Sequence, residues 1–414
     1  MQNAFEYRNN LLYMEDVALD EIAEQVGTPC YVYSSRAILS RYRAYHRAFG
    51  DAPHKVCYAV KANSNLSVLT LLANAGAGFD IVSGGELYRA LKAGAEPGSI
   101  VFSGVGKTRE EVEYALESGI HTFNCESEPE LALIDGLAAR LNKKARIALR
   151  VNPDVDASTH PYISTGLKEH KFGIDIAEVE AVYQRARSWP HLLMEGVSCH
   201  IGSQLLNVDP LLESVDRMVA LVERLRAMGL PIQHLDLGGG VGVPYRPGEQ
   251  SPSIEEYIQK ICAKAAGHNL MLMVEPGRSL VGEAGLLLSR VLYRKRNGEK
   301  EFIIIDAAMN DLIRPSLYKA HHEIIPLRRD ERRGKVQADV VGPVCESGDF
   351  LAKDREMANV MPGDLVAICT AGAYGFVQAS NYNSRPRAAE IMVGGSGYKI
   401  ARTRESYHDL IRGE

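Results

Sequence analysis

The chain has 414 residues, which is more than one ordinary domain holds, so we expect two or three domains. Hydrophobic residues make up 46% and charged residues 24% of the chain, which is typical of a globular protein with a sizeable core. The net charge is -5 and no basic block occurs, which argues against a nucleic-acid partner.

The cysteines and the N-terminal residues indicate the cellular compartment in which the protein is expected. The seven cysteines are odd in number, are spread along the chain and form no CxxC pair, so we expect no disulfide framework and a reducing environment. The first 20 residues mix acidic, basic and apolar residues and do not resemble a signal peptide. No apolar run reaches the roughly 20 residues of a membrane helix. We therefore expect a soluble cytoplasmic protein that does not contact a membrane.

From residue 55 to residue 275, short apolar runs alternate with longer segments of helical spacing. Apolar runs are typical of strands buried on both faces, and strict strand–helix alternation indicates a parallel sheet with helices outside it. The eight predicted strands are residues 55–60, 79–82, 100–102, 122–124, 145–151, 196–200, 234–237 and 271–274. The predicted helices are residues 66–75, 86–93, 109–118, 128–141, 176–188, 211–228 and 254–266. This count favours a closed TIM-type (β/α)8 barrel, and an open doubly wound sheet is the alternative.

After Arg278 the helical patterns fade. Short apolar runs at residues 286–293, 302–306, 336–341, 365–369 and 390–393 are separated by Gly, Pro, Asp and Asn. This pattern predicts a mainly antiparallel β domain at the C-terminal end, to which residues 30–33 add a strand. The expected fold class is therefore α/β. A (β/α)8 barrel occupies residues 35–278, and a β-sandwich or barrel-like domain is formed by residues 1–34 with 279–414.

Reactive side chains fall where the predicted barrel strands end. Lys61 follows the first strand, Asp80 lies in the second, and His200 ends the sixth. A glycine cluster follows the seventh strand, and Glu275 follows the eighth. Barrel enzymes carry their chemistry at the C-terminal ends of the strands, so we expect the active site there.

Lys61 stands directly after an apolar strand, in the segment YAVKAN. This position predicts an amine at the mouth of a pocket with an apolar wall. Desolvation lowers the pKa of an amine and makes it a better nucleophile toward carbonyl groups. The alternative is a solvated loop lysine, and the other polar residues at the same strand ends favour the nucleophile.

Glycines and a carboxylate follow the last two predicted strands. The cluster at residues 238–240 offers backbone N–H groups that can close on a phosphate, and this part of a barrel is a frequent phosphate site. Its spacing does not match GxGxxG, and a plain tight turn is the alternative. In the segment EPGR, Glu275 is a candidate cofactor contact, and the alternative is a salt bridge between Glu275 and Arg278.

The segment SCHIGS places an imidazole at a strand end and a hydroxyl shortly after it. His200 can pack on a cofactor ring or act as an acid or base, and the alternative is a hydrogen-bonded core histidine. The other histidines, including His321 and His322, lack metal-ligand spacing with Cys, Asp or Glu. We therefore expect no metal.

Together these motifs resemble the pyridoxal-phosphate enzymes with an alanine-racemase-like barrel, and more narrowly the diaminopimelate, ornithine and arginine decarboxylases. The resemblance runs from about residue 28 to residue 398, and the order and spacing of the motifs agree. It implies that Lys61 holds pyridoxal 5'-phosphate covalently, that His200 packs on the ring, and that Glu275 keeps the ring nitrogen protonated as an electron sink. The other implied cofactor contacts are Asp80, Ser203, Gly239, Gly240, Pro276, Gly277, Arg278 and Tyr374.

Several segments further resemble those of diaminopimelate decarboxylases. The strongest discriminator is CESGD at residues 345–349, because ornithine decarboxylases carry an aspartate-rich segment after the equivalent cysteine. Further matches are RPSLY at 314–318, AYG at 373–375 and HPYISTG at 160–166 ahead of HKFG at 170–173. The resemblance implies a carboxy-lyase that converts meso-2,6-diaminopimelate to L-lysine and CO2, the last step of lysine biosynthesis.

The resemblance assigns to Cys345 the return of a proton to the substrate carbon, and a thiol with a tuned pKa is suited to this task. The alternative for a lone cysteine is a small buried hydrophobe, and the polar neighbours of Cys345 favour the functional role. The family also implies a homodimer with shared active sites, in which Cys345 and Glu346 reach the cofactor of the neighbouring subunit.

Diaminopimelate has a second amino-acid centre, which needs a forked clamp for its carboxylate and a partner for its ammonium group. We assign the clamp to Arg278 and Arg314, a hydroxyl contact to Tyr318 and the ammonium contact to Glu346. Tyr374 is expected near the phosphate and the substrate. Such a site rejects analogues that lack the matching group by about 10⁴ or more.

Other functions stay open from sequence alone. The nearest is a decarboxylase of ornithine or arginine, and the next is an amino-acid racemase on the same barrel and cofactor. A non-catalytic cofactor-binding protein or a metabolite-binding regulator is a third, against which the retained C-terminal domain with Cys345 counts. The sequence does not tell whether the loop at residues 160–172 closes as a lid.

Overall fold

The computed structural model describes residues 4–156 and 171–414, so the segment HPYISTG at 160–166 and most of the loop 160–172 lie outside the described residues. The chain divides into two compact units. The first, which we call the barrel unit, comprises Tyr42–Val243 and Ser251–Gly277. The second, the β unit, comprises Met1–Arg41, Pro244–Gln250 and Arg278–Glu414.

The barrel unit contains a closed sheet of eight parallel strands. Each strand pairs with the next one along the chain, and the eighth pairs with the first, with Val274 opposite Val56. In chain order, barrel strands 1 to 8 are His54–Ala59, Gly78–Ile81, Ile100–Phe102, Thr122–Cys125, Ala145–Asn152, Leu192–Cys199, His234–Asp236 and Met271–Val274. The closure confirms the predicted TIM-type (β/α)8 barrel and excludes the open sheet.

Helices follow the barrel strands. They are Leu66–Ala73, Gly84–Lys92, Arg109–Ser118, Glu128–Arg140, Val179–Ala186, Asp209–Ala227 and Ile254–Lys264. A further helix, Ser35–Phe49, precedes barrel strand 1. Short 3-10 turns occupy Val60–Ala62 and Pro97–Ser99, and the two-residue strand Ile174–Asp175 pairs in parallel with barrel strand 5.

The helix Arg109–Ser118 shows how local sequence sets these elements. Thr108 and Glu111 form a reciprocal capping box, which satisfies backbone N–H groups at the first turn. Val112 and Leu116 are buried four residues apart on one face. Gly119 ends the helix in the left-handed region, with φ of 73°, where a side chain would add strain.

The β unit is built on a nine-stranded sheet in which most neighbours are antiparallel. Its strands are Cys30–Ser34, Gly285–Asn297, Lys300–Ile305, Ile324–Pro326, Lys335–Val341, Phe350–Ala358, Leu365–Ile368, Ala389–Gly394 and Gly397–Arg402. Cys30–Ser34 lies between Gly285–Asn297 and Ala389–Gly394, so a segment that precedes the barrel in sequence belongs to the middle of this sheet. The mainly antiparallel architecture agrees with the prediction.

The remaining elements of the β unit are short. Phe5–Arg8, Leu11–Met14 and Val17–Ala18 form a three-stranded antiparallel sheet. The helices are Leu19–Val26, Arg278–Val281, Arg314–Tyr318 and Tyr407–Leu410, and 3-10 turns lie at Glu331–Arg333, Phe376–Gln378 and Tyr382–Ser384.

Both units bury apolar side chains from the elements that the sequence marks as strands. In the barrel unit, Cys57, Val101 and Met273 pack in one buried cluster. In the β unit, Leu286 and Ile391 belong to a larger cluster with side chains of the N-terminal segment. None of the helices in the described part of the chain is long and apolar enough to span a membrane.

Candidate active site

Lys61 and Asp80 are in direct contact at the C-terminal end of the barrel. Lys61 lies in the turn Val60–Ala62 after barrel strand 1, and its Nζ donates a hydrogen bond to Asp80 Oδ2 at 2.8 Å. The Lys61 side chain is 40% exposed, whereas that of Asp80 is fully buried, and Asp80 Oδ1 has no partner among the described residues. A buried carboxylate therefore fixes the position of the amine.

His200 directly follows barrel strand 6 and is held by the glycine loop. The backbone N–H of Gly239 donates to His200 Nδ1 at 3.2 Å, so Nδ1 is an acceptor and the neutral ring carries its proton on Nε2. Burial lowers the pKa of His200 well below its ordinary value, and the positive charges of Arg150 and Lys61 lower it further. A neutral, fixed imidazole is suited to packing on a flat ring and is a poor general acid near neutral pH.

The glycine loop after barrel strand 7 needs glycine for steric reasons. Gly238 and Gly240 have positive φ angles of 64° and 126°. A Cβ atom on Gly239 would lie 2.4 Å from the carbonyl oxygen of Glu275. The loop therefore packs its backbone directly against the end of barrel strand 8. Gly277 is similarly confined, because a Cβ there would lie 3.0 Å from that of Ala62.

Glu275 lies in a buried polar cluster inside the barrel. Its Oε1 accepts hydrogen bonds from Asn124 Nδ2 at 3.3 Å and from Ser103 Oγ at 3.5 Å. Asn124 Nδ2 also donates to Asp236 Oδ2 at 3.0 Å. Burial raises the pKa of Glu275 well above its ordinary value, and the negative charges of Asp236 and Asp80 raise it further. This cluster strongly favours a proton or a cation next to Glu275.

Sequence reasoning gave no role to Asp236 or Asn124. Asp236 is the last residue of barrel strand 7, and Asn124 is the penultimate residue of barrel strand 4. The available signal was a polar side chain near the C-terminal end of an otherwise apolar strand, which is the same signal that identified Asp80.

Two arginines and three tyrosines form a cluster in the β unit. Arg278 Nη1 donates to Tyr245 Oη at 2.6 Å, and its guanidinium carbon lies 4.8 Å from the centre of the Tyr374 ring. The guanidinium carbon of Arg314 lies 4.9 Å from the Tyr245 ring and 6.0 Å from the Tyr318 ring. The structure thus brings Arg278, Arg314, Tyr318 and Tyr374 together, and Tyr245 is a central member that sequence reasoning missed.

His322 fixes the orientation of Arg314. Arg314 Nε lies 3.2 Å from His322 Nε2, and His322 Nδ1 lies 2.8 Å from the carbonyl oxygen of Cys369. Burial lowers the pKa of His322 to about 3, so the ring is neutral and its Nδ1–H points at the carbonyl. Burial also lowers the pKa of Arg314, with Arg278 among the contributing charges. Two buried guanidinium groups that both lie against the Tyr245 ring favour an anionic ligand.

The segment at residues 345–349 is a loop whose first side chain faces outward. Cys345 is exposed, which excludes the alternative of a small buried hydrophobe, and its backbone N–H donates to Asn383 Oδ1 at 2.8 Å. Ser316 Oγ donates to the carbonyl oxygen of Gly348 at 2.5 Å, which ties this loop to the helix that carries Arg314. Glu346 is exposed next to Tyr382, with 3.4 Å between the hydroxyl and the carboxylate.

The fold and these clusters define a class of enzyme. A family model described as "Pyridoxal-dependent decarboxylase, pyridoxal binding domain" matches residues 35–282. The chain therefore belongs to the pyridoxal-dependent decarboxylases, which confirms the predicted class of carboxy-lyase and its cofactor.

Full-length relatives narrow the assignment within that family. A diaminopimelate decarboxylase of Pseudomonas aeruginosa is 55% identical, with 100% of this chain and 99% of the relative covered. The crystal structure of the Helicobacter pylori diaminopimelate decarboxylase with L-lysine has a TM-score of 0.91 and 44% identity, covering 95% of this chain and 98% of that one. The corresponding M. jannaschii complex with L-lysine has a TM-score of 0.94 and 38% identity, covering 99% and 96%. The chain thus falls within the diaminopimelate decarboxylases.

The residues present in the barrel unit fit pyridoxal phosphate. Lys61 offers an amine for the aldehyde, and the glycine loop, which carries no side chains, allows a phosphate to approach its backbone closely. Burial and neighbouring negative charges raise the pKa of Glu275, and a protonated ring nitrogen next to this carboxyl group would favour its ionised form. The buried Asp80 Oδ1, which has no partner among the described residues, leaves a further acceptor at the amine.

Proposed function

We propose that this chain decarboxylates meso-2,6-diaminopimelate to L-lysine and CO2, with Lys61 as the residue that holds pyridoxal phosphate. The single observation that carries this proposal is the placement of the Lys61 amine 2.8 Å from buried Asp80 at the C-terminal end of the barrel. When bound, the cofactor supplies an electron sink for the pair of electrons that the departing carboxylate leaves behind. The alternative substrates are ornithine and arginine, and the alternative reaction is racemisation.

In this proposal the barrel residues position the cofactor. Asp80 orients the amine of Lys61, and His200 packs its neutral ring on the cofactor plane. Glu275 faces the ring nitrogen. The phosphate contacts are Gly239, Gly240, Gly277 and Arg278, with Ser203, Pro276 and Tyr374 completing the binding residues.

The β unit supplies the substrate contacts in this proposal. Arg278 and Arg314 clamp the distal carboxylate with their planar guanidinium groups, and Tyr318 adds a hydroxyl. Glu346 meets the distal ammonium group. Cys345 returns the proton to the carbon that lost CO2, for which the exposure of its thiol is favourable.

The proposal also covers the domain boundaries, the oligomeric state and the cellular location of the protein. We take residues 35–278 as the cofactor-binding barrel domain and residues 1–34 with 279–414 as the β domain. The outward position of Cys345 and Glu346 supports a homodimer in which they reach the neighbouring subunit. Because all seven cysteines are free, we place the enzyme in the reducing cytoplasm.

The test starts from Lys61→Ala, which we expect to lower decarboxylation of meso-diaminopimelate by at least about 10³-fold, since a covalently acting residue is lost. CO2 release is the measurement. Lys335→Ala is the matched control, because that amine is exposed and pairs with exposed Glu356.

Two further measurements separate the alternatives. CO2 release from ornithine, arginine and lysine is expected to be about 10⁴-fold or more below that from diaminopimelate. Chiral analysis of the product distinguishes a racemase, which releases no CO2.

Borohydride reduction followed by peptide mass spectrometry should place the label on Lys61, and a label on another lysine contradicts the proposal.

A further inference from the structure

Asp236 and Glu275 form a pair of buried carboxyl groups inside the barrel. Asp236 ends barrel strand 7 and Glu275 directly follows barrel strand 8. Their exposed fractions are 1% and 8%. Both accept hydrogen bonds from the same nitrogen, Asn124 Nδ2, at 3.0 and 3.3 Å. The two acids are therefore neighbours in the barrel, although the function proposed above uses only Glu275.

Among the residues that the structure describes, the hydrogen-bond donors around the pair are too few for two ionised carboxylates. Asn124 has two amide hydrogens, but a third acceptor, Ser103 Oγ, lies 3.2 Å from its nitrogen. Ser103 Oγ itself reaches Glu275 only at 3.5 Å. Adjacent buried carboxylates repel each other, and a single shared proton removes the repulsion while adding the missing donor.

The surroundings decide which member of the pair carries the proton. Asp236 Oδ1 accepts the backbone N–H of Gly238 at 2.9 Å, and its Oδ2 accepts from Asn124, so both oxygens of Asp236 are satisfied as an anion. Burial raises the pKa of both acids, but the contact between them raises that of Glu275 further and opposes the rise at Asp236. Asp80 adds a negative charge that favours protonated Glu275, and Lys61 opposes it.

We propose that Asp236 is a positioning residue that keeps Glu275 protonated before the cofactor binds, so that this carboxyl pair supplies the proton of the pyridine nitrogen. The inference rests on the proposed function, in which Glu275 faces that nitrogen. In the transfer, the O–H bond of Glu275 breaks and an N–H bond forms with the nitrogen lone pair. No electron is gained or lost, and the new negative charge on Glu275 faces the positive ring.

The number of protons that are taken up when the cofactor binds tests this proposal. Full-length wild-type and Asp236→Asn proteins, freed of cofactor, are titrated with pyridoxal phosphate by calorimetry in buffers of different ionisation enthalpy. Without the negative charge of Asp236, a larger fraction of Glu275 is ionised before binding, so the variant is expected to take up more protons per cofactor than the wild type, by up to about one. Ser103→Ala is the matched control, because it removes a hydrogen bond from the same cluster but no carboxyl group, and it should keep the wild-type count.

Equal proton counts for wild type and Asp236→Asn, with cofactor bound by both, overturn the inference. Failure of the wild type to bind the cofactor overturns the proposed function instead. A measurement on the wild type alone does not depend on the folding of any variant. The infrared band of a protonated carboxyl group should be present without cofactor and should diminish when it binds, and an unchanged band also overturns the inference.

Discussion

Arg314 presents its charge in a fixed direction because a histidine and two aromatic rings hold it. Arg314→Ala is expected to lower kcat/KM for diaminopimelate about 30-fold or more. Loss of one partner from a buried charge pair costs about 2–5 kcal/mol, which corresponds to a change of this size. Steady-state kinetics with CO2 detection measures the effect.

The controls for this clamp are another arginine and a conservative change. Arg332→Ala removes a guanidinium that is 90% exposed and should leave kcat/KM unchanged. Arg314→Lys keeps the charge but loses the planar fork, so an intermediate loss is expected. Unchanged kinetics in Arg314→Ala would show that the distal carboxylate binds elsewhere.

At the scale of elements, the loop after barrel strand 7 depends on backbone contact with the end of barrel strand 8. Gly239→Ala places a methyl group 2.4 Å from the carbonyl oxygen of Glu275, so the two strand ends must separate. We expect a loss of about 1–3 kcal/mol in the free energy of unfolding, together with weaker cofactor binding. Urea unfolding and cofactor titration measure the two effects.

The same substitution at Gly136 is the matched control. Gly136 lies inside the helix Glu128–Arg140, and an added Cβ meets no atom within 4 Å. Alanine is the better helix former by about 0.5–1 kcal/mol, so Gly136→Ala should stabilise the protein slightly. If both variants changed the free energy of unfolding alike, close packing at the glycine loop would not explain the loss of stability in Gly239→Ala.

For the molecule as a whole, buried neutral histidines make stability depend on pH. The rings of His121 and His234 lie 5.6 Å apart, and burial lowers their pKa values from 6.5 to about 3 and about 4. Between these values and 6.5 the unfolded chain binds more protons, so the contribution of these groups to stability is lost as pH falls below 6.5. His234→Asn should make the fall between about pH 6.5 and 4.5 shallower, by up to about 1.4 kcal/mol per pH unit.

Urea unfolding at several pH values measures that slope. His408→Asn is the control, because His408 is exposed near the C-terminus and its loss should leave the slope as in the wild type. The slope of the variant must be compared with that of the wild type, because buried acids change the free energy of unfolding with pH in the opposite direction. Burial raises the pKa of Asp311 to about 6, so its contribution is lost as pH rises. An unaltered slope in His234→Asn would contradict the prediction.

The proposed homodimer gives a second prediction at this scale. If Cys345 of one subunit serves the Lys61 site of the other, mixing Lys61→Ala with Cys345→Ala subunits should restore about a quarter of wild-type activity, because random mixed dimers then contain one intact site. The mixture is assayed for CO2 release after subunit exchange. Activity equal to the average of the two separate variants would mean that each site lies within one chain.

Local sequence was sufficient for most strands and helices. All eight barrel strands lie within a few residues of their predicted positions, except that barrel strand 6 begins at Leu192, ahead of the predicted residue 196. The helix predicted from residue 176 begins at Val179. The reason is that Ile174–Asp175 pairs with barrel strand 5 and Asp175 accepts the backbone N–H of Ala177, which forms a turn first.

The sequence by itself determined the strand–helix alternation and the polar residues at the strand ends, because apolar periodicity acts over a few neighbouring positions. The cofactor class came from the resemblance of these motifs to a known family, and the closure of the barrel was decided by the tertiary structure. Only the tertiary structure decided the pairing of Asp236 with Glu275 through Asn124, and the neutral state of His200. Asn124 lies 112 and 151 residues from these two acids in the chain, so no local pattern reports their contact. Their protonation depends on burial and on neighbouring charges, which exist only once the barrel has closed.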